Sequence, residues 1–99
     1  MDTLNTAEQV VSAIAGETRR RFGKQIEVIW FGSWVQGTAH PGSDIDVAIH
    51  SDGTIDDREF SQLWEWVEDL PTLYSVDLVN LAEARSSLRE EILRTGRLV

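Results

Sequence analysis

The chain has 99 residues, 41% of them hydrophobic, and 17 acids against 9 Lys and Arg give a formal net charge of −8. That length suits one domain, expected to cover residues 1–99, and the acidic balance argues against direct nucleic-acid binding, which needs clustered cations. Cysteine is absent, which removes disulfides and thiolate metal sites; with no run of about 20 apolar residues and no signal-like N-terminus, a cytoplasmic protein is expected.

Thr6-Ala7-Glu8-Gln9 reads as a capping box. Ala7, Val10, Val11, Ile14, Thr18 and Phe22 then follow along one helical face, and Gly23 is placed to stop the helix. The basic run Arg19-Arg20-Arg21 fits a solvated helix end set well against the dipole. Ile26 to Phe31 is a first strand, apolar enough to be central and covered by helices.

The run breaks at Gly32-Ser33, where Ser33 is expected to cap a short helix over Trp34 to Gln36. Gly37, Pro41 and Gly42 make the next segment a tight excursion. It returns at Asp44-Ile45-Asp46, the head of a second strand that continues through Val47, Ala48 and Ile49. Alternation sets Asp44 and Asp46 on one face and Ile45, Val47 and Ile49 on the other. Two carboxylates about 6 Å apart repel by about 3 kcal/mol at an effective dielectric of about 20, so the pair calls for a cation. Oxygen-only ligands favour Mg²⁺ or Mn²⁺ over zinc. Exposed amides and a hydroxyl at the Gly-Ser turn suit a phosphate.

His50 to Gly53 reads as a turn, and Asp56 with Glu59 is expected to cap a helix carrying Phe60, Leu63, Trp64, Val67 and Leu70 inward, closed by Pro71. Trp66 falls toward the edge of that stripe, half-buried or facing a partner. Leu73 to Leu81 reads as a third strand with Asp77 amid apolar neighbours, where an unpaired carboxylate is expensive unless it shares a metal, meets backbone donors or lies at a solvated sheet edge. Ser87 and Glu90 cap a last helix with Leu88, Ile92 and Leu93 inward, Glu90 paired with Arg94, and Gly96 as its stop. The expected fold is a small α/β (α+β) sandwich, a mixed three- to four-stranded sheet with helices mainly on one face and the acids on the open side.

Gly32-Ser33, ten residues, then Asp44-Ile45-Asp46 resembles the signature of the DNA polymerase β-like nucleotidyltransferase superfamily. With the leading helix, Asp77 and the Leu88…Ile92…Gly96 tail, the chain is most similar to its minimal (MNT) branch, the antitoxin partners of HEPN toxins. The resemblance implies the strand order and Mg²⁺-dependent transfer of AMP from ATP, with pyrophosphate leaving. It implies that Gly32 and Ser33 hold the β- and γ-phosphates and that Asp44 and Asp46 bind two Mg²⁺ ions. Asp77 would ligate the second ion and help deprotonate the attacking hydroxyl. Unlike many relatives, the chain has no basic residue after the Gly-Ser, only Trp34-Val35-Gln36, so phosphate charge falls to Mg²⁺, backbone amides or a more distant Lys24 or Arg. Trp34 stacks on the base or packs. No acceptor-binding module accompanies the motif, so the resemblance implies a hetero-oligomer with a HEPN protein whose tyrosine is adenylylated. The alternatives are the catalytic subunit of a two-component enzyme that modifies a small molecule, and a non-catalytic module that binds its partner.

Overall fold

In the computed structural model, which describes residues 3–99, the first element is helix α1, Ala7–Phe22. The expected capping box is present: the Thr6 hydroxyl accepts from the Gln9 N–H, and the Gln9 side chain accepts from the Thr6 N–H, each at 3.1 Å. Val10, Val11, Ile14, Ala15 and Thr18 are buried along one face. Gly23 ends the helix at φ +93°, its N–H donating to the Arg19 carbonyl. In the basic last turn Arg20 and Arg21 both pair with Glu17, Arg20 exposed and Arg19 and Arg21 half-buried, so only part of that helix end is solvated.

Four strands form one mixed sheet: β1 (Glu27–Phe31), β2 (Ile45–His50), β3 (Val76–Asn80) and β4 (Arg97–Leu98), in the order β3-β2-β1-β4. β1 runs antiparallel to β2 and β4, while β2 and β3 are parallel. The parallel pair needs a crossover, supplied by helix α3, Asp57–Glu68. β1 and β2 are central, which is why both read as almost unbroken apolar runs.

Side-chain alternation divides the core in two. Val28, Trp30, Ile45, Val47 and Ile49 pack with α1 and with Leu63 and Val67 of α3 in the larger cluster. Ile29, Phe31 and Ala48 turn the other way, onto Leu81 and onto Ile92 of helix α4, Ser86–Thr95. Most of the helical cover therefore lies on one face, as expected, and α4 alone packs on the other. Trp66 is half-buried against the larger cluster, the packing alternative for that residue.

Several local expectations are corrected. β3 begins at Val76 rather than Leu73, and Leu73 is fully exposed, because the chain after Pro71 turns on Thr72, whose hydroxyl accepts from the Tyr74 N–H. β3 ends at Asn80, whose side chain accepts from the Ala82 N–H and starts a 3-10 turn, Leu81–Glu83. Asp56 alone caps α3, taking the N–H groups of Arg58 and Glu59 on Oδ1. Neither Ser87 nor Glu90 caps α4; Arg85 is its N-cap without a side-chain bond. Instead the Arg89 guanidinium donates to the carbonyls of Leu81, Ala82 and Ala84, tying the helix start to the preceding turn. Leu93 is 61% exposed, since the sheet takes only the Leu88–Ile92 edge of α4. Glu90 and Arg94 are not among the ion pairs of the described residues. Gly96 does end α4, but the chain then pairs with β1 as β4.

Candidate active site

Gly32 follows β1 with φ +85° and ψ −160°, a backbone state open essentially to glycine alone. A Cβ built there would overlap Asp46 Oδ2. Glycine is therefore required twice, for the turn and for the approach of the Asp46 carboxylate to the backbone. The Gly32 carbonyl then accepts from the Val35 and Gln36 N–H groups at 3.1 Å each, winding the one-turn helix α2, Ser33–Gln36. Gly32, not Ser33, is its N-cap, and the cap has no side-chain bond; Ser33 is the first helical residue, half-buried. Gly37 closes α2 in the left-handed conformation.

The excursion that follows is bonded mainly to itself: the Ser43 N–H donates to the His40 carbonyl and the His40 N–H to Ser43 Oγ. Its far end is gripped by Trp34, whose indole N–H donates to the Ser43 carbonyl at 3.1 Å. The same ring meets Tyr74 edge-on, with centroids 5.7 Å apart at 76°. Two residues beyond Ser43 and one beyond Tyr74, the Ile45 N–H donates to the Ser75 carbonyl at 2.9 Å and opens the parallel ladder.

That ladder sets Asp46 directly opposite Asp77. Asp44 lies exposed two residues before Asp46, while Ile45, Val47 and Ile49 go into the core as alternation requires. Asp46 is half-buried. Burial, then the neighbouring Asp77 charge, then that of Asp44, push its carboxyl up to about 6. Asp77 itself is exposed on the edge strand. Of the alternatives for Asp77, the solvated sheet edge is the one found: Val76 and Leu78 flank it in sequence, but their side chains leave on the opposite face.

Among the described residues, no three acidic or imidazole side chains stand close enough together to form a ready-made metal cluster. The acids form a looser like-charged group centred on Asp46, and the donors on offer are carboxylate oxygens. Like charges with no basic side chain in the adjoining turn, and oxygen-only donors, fit a hard divalent cation. Lys24 precedes β1 and so stands at the opposite end of that strand from Gly32. Arg97 lies over the Trp30 ring, 4.9 Å from its centroid. His50 closes β2 at its other end and pairs with Glu27 at 2.9 Å, while His40 Nδ1 accepts from the Gly42 N–H; neither belongs to the acid group. Tyr74 and Ser43 had no sequence signal, since their roles rest on contacts with Trp34 across a loop and between strands.

The sequence matches the model of the family described as Polymerase beta, Nucleotidyltransferase over residues 17–99. It is 35% identical over 94 residues to a protein adenylyltransferase MntA of Thermococcus cleftensis, covering 95% of this chain and 93% of that one. A second protein adenylyltransferase MntA, from Shewanella oneidensis, is 36% identical over 69 residues; the match covers 68% of this chain and about half, 48%, of the relative. Among solved structures, a toxin-antitoxin complex with AMP-PNP has a chain with TM-score 0.61 and 28% identity, covering 87% of this chain and 69% of that one. A Shewanella oneidensis complex of tri-AMPylated HEPN toxin with MNT antitoxin shares the fold, with TM-score 0.65, 22% identity and coverage of 94% and 71%. Among the described residues, no helix is long and apolar enough to cross a membrane.

Proposed function

The chain belongs to the Polymerase beta, Nucleotidyltransferase family, and from that premise we propose that it is an adenylyltransferase that modifies a HEPN-type toxin as that toxin's antitoxin. The likeness to a protein adenylyltransferase across 95% of the chain supports protein as the acceptor, ahead of a small molecule. Residues 1–99 act as one transferase unit in the cytoplasm, and the partner supplies the acceptor hydroxyl.

The observation that carries the reading is the meeting of three segments: Asp46 lies against the Gly32 turn on one side and opposite Asp77 on the other. In the reaction, the acceptor oxygen bonds to the α-phosphorus of ATP, the bond to pyrophosphate breaks, and the hydroxyl proton leaves. Backbone N–H groups of the Gly32-Ser33 turn and the Ser33 hydroxyl would hold the β- and γ-phosphates. Asp44, Asp46 and Asp77 would hold two Mg²⁺ ions, which when bound supply electrostatic stabilisation of the attacking and leaving oxygens. Asp77, exposed at the sheet edge, would help deprotonate the acceptor hydroxyl. Positioning of acceptor and triphosphate in line carries much of the rate in phosphoryl chemistry.

Incubation of the chain with its HEPN partner, labelled ATP and Mg²⁺ tests this. Label is expected on the partner, and Asp44→Ala with Asp46→Ala should abolish it without loss of the folded state. A stable complex with no transfer by the unmodified chain would leave only a binding module.

A further inference from the structure

The site residues come from three separate segments, and none of those segments is rigid by itself. α2 is four residues long, too short to persist without tertiary support. The excursion from Gly37 to Ser43 is largely exposed and bonded mainly within itself. The stretch before β3 turns through Leu73, which touches little. Yet the triphosphate turn, Asp44 and Asp77 must share one geometry for the transfer.

We propose that Trp34 is a positioning residue for the transfer: its N–H bond to the Ser43 carbonyl and its edge contact with Tyr74 lock the Gly32-Ser33 turn to the segments carrying Asp44 and Asp77. The inference rests on the reading of those residues as the nucleotide site. Each partner sits close to a site residue. Ser43 immediately precedes Asp44, Tyr74 stands three residues before Asp77, and Trp34 follows Ser33 directly. One side chain thus touches all three segments.

Packing alone does not require this arrangement. Trp30 is 4% exposed, and its indole nitrogen is buried without a partner among the described residues, so a core indole need not be paired to pack. The half-buried Trp34, by contrast, is bonded to a backbone carbonyl just before the acid strand begins. A hydrogen bond from a rigid ring fixes both distance and direction, which dispersion contacts do not.

Trp34→Phe retains an aromatic ring beside Tyr74 and deletes the N–H donor. Calorimetric titration with Mn²⁺ and a non-hydrolysable ATP analogue should show at least a fivefold rise in dissociation constant. The Mg²⁺ concentration for half-maximal transfer should rise in parallel, with excess Mg²⁺ recovering part of the rate. A residue that only packs would lower the melting temperature and leave both constants unchanged, and that result overturns the proposal. Should Trp34→Phe fail to fold, Tyr74→Leu decides: weaker analogue binding supports the lock, and wild-type binding refutes it. The unmodified chain separates this inference from the function. If it binds the analogue but labels no partner, the antitoxin reading fails while the lock is still measured; if it labels its partner and Trp34→Phe matches it in both constants, only the lock fails.

Discussion

Asp46→Asn is expected to stabilise the metal-free protein while abolishing its transfer activity. The Asp46 carboxyl is pushed up to about 6, first by burial and then by Asp77 and Asp44, against about 4 for a free aspartate. Two units at about 1.4 kcal/mol each set a ceiling of about 3 kcal/mol, which partial exposure of the group reduces to about 1–2. The sign follows from proton counting. Between pH 4 and 6 the folded state holds a proton on Asp46 that the unfolded state has lost, so stability falls as pH rises through that window and is lowest above it. Asparagine has nearly the same shape and no charge to desolvate or repel, so it escapes the penalty. At pH 8, thermal unfolding in chelator should place the variant about 4–16 °C above the wild type, taking about 4–8 °C per kcal/mol for a domain of this size. By pH 4.5 the gain should shrink to about a third, because the wild-type carboxyl is then largely protonated. A variant no more stable at pH 8, or one whose gain is equal at both pH values, would refute the picture of Asp46 as a strained acid awaiting a cation.

Two further substitutions test the packing around the site. Gly32→Ala should destabilise by about 1–3 kcal/mol from its backbone state alone, and by more from the overlap with Asp46 Oδ2. Denaturant midpoints should therefore show a smaller loss when Gly32→Ala is made in an Asp46→Ala background, where the carboxylate overlap is gone and the backbone strain and a 3.3 Å approach to the remaining Cβ are left; equal losses in both backgrounds would contradict the close approach. Gly96→Ala should cost about 1–3 kcal/mol by overpacking, since its φ of −73° is ordinary but a Cβ would press on the Ile29 side chain and the Ile92 carbonyl. An unchanged melting temperature would show that the tail moves aside.

What could be read from the residue string is what depends on near neighbours in the chain. The Thr6–Gln9 box, the buried stripe of α1 and the Asp56 cap are settled within one helical turn. The splitting of Asp46 from Ile45, Val47 and Ile49 follows from the pleat of a single strand. The motif from Gly32 to Asp46 also marks the family by itself, because turn, excursion and acid pair are contiguous. The errors fall where one segment's fate hangs on another. Ser33 does not cap α2, because Gly32 turns sharply enough to do so; Leu93 is exposed, because the sheet has room for only one edge of α4.

Composition and periodicity by themselves determined an acidic chain with a helix-covered apolar sheet and two acids at a strand head. They assign each side chain to a face, but they carry no information on which strand lies beside which. Only the tertiary structure decided that Asp77 faces Asp46 across a parallel ladder at an exposed edge, that β4 closes the other side, and that Trp34 reaches both Ser43 and Tyr74. The physical reason is that register and strand order are chosen by burial over the whole sheet, a sum over pairs distant in sequence, whereas caps and alternation are settled within a few residues.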